Sequence, residues 1–121
     1  MRAVAALAVL LLAACAPAEV ERVFILPDCN LAFEAHAKLL TSQPGLAPPV
    51  REPGEPYSFH NAENGSVSYV VTEPSAPAHP AILMQRFTGG AQATSGCAYG
   101  DKAEFDKLKT YIESLKAGAE P

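Results

Sequence analysis

At 121 residues the chain is long enough for one small domain and too short for two. Thirteen acidic side chains against nine basic ones set the net charge at −4. That balance argues against nucleic acid and against charge-driven adhesion to anionic lipid, both of which need a basic face.

Met1 and Arg2 precede twelve small or apolar residues, Ala3 to Ala14. As a helix this run reaches ~18 Å against a hydrocarbon core of ~30 Å, too short to cross. A positive start, a short apolar run and small residues before a cut site describe a removable export signal over 1–14. Leu12-Ala13-Ala14-Cys15 resembles the lipobox of bacterial lipoproteins, whose cysteine is acylated and becomes the mature N-terminus. The resemblance implies a lipid-anchored chain, with lipidation at Cys15 and a short tether over 15–22. Ala16 in place of Asp after the cysteine implies the outer membrane, facing the periplasm. Attachment would then come from several acyl chains rather than from protein.

Cys29 and Cys97 remain once Cys15 is assigned to the anchor. An even pair in an exported chain reads as a disulfide. The pair lacks the two-residue spacing of redox or metal-binding motifs.

Leu31 to Leu40 is predicted as a helix, capped by Asp28 or Asn30 with Pro27 just outside. Leu31, Ala32, Ala35, His36, Leu39 and Leu40 spread over one broad face, and Glu34 and Lys38 pair on the other. Residues 41–56 hold five of the eleven prolines, with Gly45 and Gly54, and form an extended connection. Tyr57 to His60 begins a strand, and Asn64-Gly65 marks a turn. Val67, Tyr69 and Val71 then alternate with Ser66, Ser68 and Thr72, as in a strand with one polar face. Ala81 to Thr88 is the next strand, and Gly89 to Gly100 a loop of small residues. Val20 to Leu26 is a further edge-strand candidate, stopped by Pro27.

Asp101 caps a last helix running to about Lys116, with Glu104 completing a capping box. Phe105, Leu108, Ile112 and Leu115 follow one stripe with Tyr111 at its edge, and the tail 117–121 frays as a disordered end. These parts predict a single α+β domain over 23–116: a small three-stranded antiparallel sheet packed against two helices, which share one sheet face. A Cys29–Cys97 bridge would clamp the two helix starts together.

Pro74, Pro77 and Pro80 recur every three residues, the repeat of a polyproline II helix. The segment is either a stiff ridge presenting His79 or a rigid strand connection. The glycines and Lys102 around Asp101 raise an anion site, but Asp101 would occupy the same helix-start amides and repel an anion. Within Ser95-Gly96-Cys97-Ala98-Tyr99, the serine, glycine and tyrosine have the spacing of a short motif in lipid-anchored inhibitors of C-type lysozyme. That resemblance implies an all-β barrel with a second motif containing Thr-Lys-Gly, which this chain lacks.

His36, His60 and His79 fall in a helix, a strand end and a proline-rich loop, without the short spacing of zinc ligands. No metal or cofactor is expected, and His36 on the apolar stripe reads as a hydrogen-bonded core residue. The chain has no Gly-x-Ser-x-Gly elbow and no helical histidine pair about a glutamate. Ser75 or Ser95 beside His79 is the remaining enzyme alternative. The expected function is a non-catalytic binding or envelope-assembly module whose partner is an envelope protein or a cell-wall component. Its expected surface is Pro74, Pro77, His79, Pro80, Ser95 and Tyr99. A small periplasmic enzyme, a metal-binding protein and a lysozyme-inhibitor-like lipoprotein are the alternatives.

Overall fold

The computed structural model describes residues 23–119, with side chains to 115. The export signal 1–14, Cys15 and the tether 15–22 lie outside the described residues, as do residues 120–121. The domain is α+β, with helix α1 (Phe33–Thr41), strands β1 (Tyr57–Asn61), β2 (Val67–Thr72), β3 (Ala81–Thr88) and β4 (Ala91–Ala98), then helix α2 (Lys102–Ala119). The sheet is a four-stranded antiparallel meander in the order β1-β2-β3-β4, not a three-stranded one. The added strand is β4, in the segment expected to be a loop. Thr88 pairs with Ala91 across Gly89 and Gly90, whose φ angles of 55° and 83° close a two-residue hairpin.

The helices do not share a face. Phe33, Ala37 and Leu40 of α1 pack with Tyr69, Ile82 and Met84 on one side. Phe105, Leu108, Ile112 and Leu115 of α2 pack with Val70, Leu83 and Phe59 on the other. Strands β2 and β3 are therefore buried on both faces, and Ser68, Thr72 and Gln85 are interior instead of forming a solvated edge. A sheet covered on both sides loses the polar face of a half-buried strand.

Helix α1 also rotates relative to expectation. Its buried positions follow Phe33, His36, Ala37 and Leu40, while Leu39 is 42% exposed. It carries no side-chain cap: Ala32 is the N-cap, and Asp28 accepts the amide of Asn30 in a preceding turn. Residues 23–26 form no strand; instead Ile25 donates its amide to Gln43 and accepts the Tyr69 hydroxyl. The proline-rich connection does more than span a distance. Leu46 bridges Ala62 and Val50 bridges Phe59, so it covers the outer edge of β1.

Asp101 caps α2 as expected, its Oδ1 accepting the Glu104 amide at 3.1 Å. The helix continues to Ala119, through residues 117–119 where a frayed tail was expected. Cys29 and Cys97 form the disulfide. Because Cys97 stands in β4, the bond ties the turn before α1 to the sheet rather than joining two helix starts.

Candidate functional site

The register of the sheet arranges the α2 face in cross-strand rows. Tyr57, Thr72, Ala81 and Ala98 form one row, and Phe59, Val70, Leu83 and Gly96 the next. The third row is polar across all four strands: Asn61, Ser68, Gln85 and Thr94. Beyond it, Phe87 pairs with Gln92. Helix α2 covers the apolar rows with Phe105, Leu108 and Ile112. Over the polar row it leaves an open cleft of about 1030 Å³.

Asn61, Ser68 and Gln85 line the cleft from the sheet, flanked by Phe59 and Phe87. Tyr111, Ser114 and Leu115 line it from the helix, and Glu52, Pro53 and Glu55 from the proline-rich connection. The Tyr111 hydroxyl donates to Glu55 Oε2 at 2.7 Å, fixing that connection to the helix. The Tyr111 ring meets Tyr57 edge to face at 6.3 Å, and Tyr57 meets Phe59 at 5.8 Å. Burial, reinforced by Tyr111 and Glu55, pushes the Tyr57 phenol above its ordinary value. The hydrogen bond to Glu55 raises Tyr111. Both phenols remain neutral near neutral pH.

On the floor, Ser68 Oγ donates to Asn61 Oδ1 at 2.6 Å, which leaves the Asn61 amide protons for another acceptor. Gln85 Nε2 reaches the Ile112 carbonyl at 3.5 Å, a long contact. On the same face of β4, Gln92 Nε2 and Thr94 Oγ1 are buried without a partner. Buried polar groups are normally paired, so this concentration marks the region as unusual. Phe87, half-buried, contributes to neither core cluster. No basic side chain lines the cleft among the described residues. Chemically it offers hydrogen-bond donors and acceptors, aromatic surface and two carboxylates.

The residues expected to form a binding surface lie elsewhere and divide among several places. The Pro74–Pro80 segment is no polyproline ridge: Ala76 donates to Glu73 and His79 to Ala76, making consecutive turns that bury Ala76 and Ala78. The His79–Pro80 bond is cis. Pro74 is exposed, while Pro77 lines a smaller groove of about 220 Å³ with Tyr57 and Leu108. Ser95 is exposed on β4, opposite Met84. His79 and Tyr99 each pack edge-on against Phe33, at ring separations of 5.1 and 5.8 Å. His79 Nδ1 bonds Thr72, and neither Ser75 nor Ser95 hydrogen-bonds to it, so the proposed nucleophile and base are not assembled. Among the described residues no three His, Cys, Asp or Glu side chains come together as metal ligands.

Tyr99 and His36 form a structural relay. Asp28 donates its amide to His36 Nε2, so the ring proton sits on Nδ1 and is donated to the Tyr99 hydroxyl at 2.8 Å. Tyr99 donates in turn to the Leu31 carbonyl at 2.7 Å. Losing the Tyr99 side chain therefore removes two structural hydrogen bonds. Burial holds His36 below the ordinary 6.5, partly opposed by Asp28, and burial also lowers His60. Below pH 6.5 the unfolded chain takes up protons that these folded histidines exclude, so stability falls as pH drops through that value. Urea midpoints should be level from neutrality to about pH 9 and decline below neutrality. His36→Gln should flatten part of the decline whatever its effect on the midpoint itself.

Comparison with family models, curated proteins and solved structures finds no match to this chain. The α+β fold also departs from the all-β barrel implied by the Ser95-Gly96-Cys97-Ala98-Tyr99 resemblance. In this sheet Gly96 and Tyr99 have packing and hydrogen-bonding roles instead. The cleft residues escaped sequence reasoning because Ser68 read as part of the polar face of its strand. One signal was present: Leu83, Gln85 and Phe87 share strand parity, so a glutamine interrupts an apolar face.

Proposed function

We propose that this chain is a non-catalytic binding module held at a bacterial envelope membrane by acylation of Cys15, with the cleft beside α2 as its ligand site. The observation that carries the reading is the polar row of Asn61, Ser68 and Gln85 facing an open cleft of about 1030 Å³. Ligand sites are characteristically concave and mostly apolar, with a few convergent polar groups. Neither histidine nor cysteine lines this one among the described residues, which favours binding over nucleophilic or acid–base chemistry by those groups. The lipobox resemblance supports the anchor, and a short tether from Cys15 would hold the domain near the headgroups of an outer membrane facing the periplasm. No helix among the described residues is long and apolar enough to cross a membrane.

Native mass spectrometry of protein extracted gently from bacterial membranes tests both halves. The expected species begins at acylated Cys15 and retains a ligand that is absent from Ser114→Trp, a substitution at the exposed helix wall of the cleft. An unmodified Cys15 would overturn the anchor. A ligand retained equally by Ser114→Trp would overturn the cleft.

A further inference from the structure

Resting on the cleft as the binding site, we infer that its ligand is a neutral saccharide. Three features converge on that class. The floor presents donors and acceptors side by side: the Asn61 amide protons, the remaining Ser68 lone pairs and the Gln85 amide. Sugar hydroxyls both donate and accept, and therefore match such an alternating set. Flanking the floor, Phe59, Phe87 and Tyr111 supply aromatic surface at which the C–H faces of a sugar ring can be buried. Phe87 is notable because it is half-buried while serving neither core cluster.

Charge supplies the third feature. Glu52 and Glu55 line the cleft, and no basic side chain does so among the described residues. Phosphates, carboxylated sugars and other anions meet repulsion without a compensating partner. An acyl chain would cover the Asn61 amide protons and the Gln85 amide oxygen without offering them a partner, an unfavourable outcome. A cationic peptide would satisfy the two carboxylates but make little use of the mixed floor. The cleft, at about 1030 Å³, also has volume for more than one ring.

The test is an amide NMR titration of the full mature chain in detergent micelles. The probes are triacetylchitotriose, cellotriose, trigalacturonate and pentalysine, each used alone. At least one neutral trisaccharide should shift Phe59, Ser68, Gln85 and Phe87 together and be recovered intact. Phe87→Ala should weaken that binding about five- to tenfold, and Phe87→Tyr should retain it. Trigalacturonate binding as tightly as the neutral sugars would overturn the inference. Pentalysine shifting the same residues while both neutral sugars fail would also overturn it, yet leave the cleft as a binding site. Shifts by the sugars confined to residues outside the cleft would overturn both readings. So would a failure of all four probes to move cleft resonances.

Discussion

Reduction of Cys29–Cys97 should lower the stability of the folded domain by about 4 kcal/mol, the chain-entropy value for a loop of this size. The bond joins residues 68 apart and so removes a large set of unfolded conformations. A domain this small has total stability on the order of 5–15 kcal/mol, so the loss is a substantial fraction. Its structural effect should concentrate at α1. That helix has nine residues, lacks a side-chain cap and touches the sheet mainly through Phe33, Ala37 and Leu40. The disulfide anchors the turn that leads into it. Urea unfolding with and without reductant, together with the Cys29→Ser/Cys97→Ser double variant, measures the effect. A difference below about 1 kcal/mol would show that the reduced chain is already restrained by residual structure.

Gly96→Ala should destabilise by about 3 kcal/mol, the upper range for overpacking a core. A Cβ built on Gly96 collides with the Ile82 carbonyl and lies 3.0 Å from Leu83 Cα and 3.2 Å from Phe105 Cζ. Two of these neighbours are backbone atoms of β3, and they cannot retreat without disturbing the β3–β4 ladder. The third is the ring by which α2 seats on the sheet. Ser95→Ala, next door and exposed, should change stability by less than about 0.5 kcal/mol. Equal urea midpoints for the two variants would contradict the close seating of Phe105 over β4.

Much of this arrangement was legible because individual elements had strong local signals. The stripe of Phe105, Leu108, Ile112 and Leu115 and the Asp101 cap specify α2 almost unaided. β4 was harder: its residues are Ala, Gln, Thr, Ser, Gly and Cys, with no alternation of large apolar side chains. Its identity comes from the Gly89-Gly90 hairpin and from pairing with β3, the first visible locally and the second a tertiary effect. The faces were misjudged for a related reason. Ser68 and Thr72 signal a solvated side only if that face of the sheet is open, and in the folded domain they are 6% and 3% exposed. Phe33 displaced Leu39 from the buried face of α1 because the packing of Phe33 with Tyr99 and His79 sets the rotation of that helix. The cleft could not be read before the register was known. Asn61, Ser68, Gln85 and Thr94 become neighbours only when four strands align.

Helix α1 is made before the sheet it packs against. The strands it rests on, β2 and β3, follow it in the chain, and the sulfur that holds its leading turn sits beyond both. A chain made N-terminus first therefore carries α1 without its packing partners until β2 and β3 have followed. Isolated helices of nine residues are marginal in water, so α1 takes its stability from residues that come later in the chain. The long-range bond thus has a temporal meaning: it can close only after β2, β3 and most of β4 have been made.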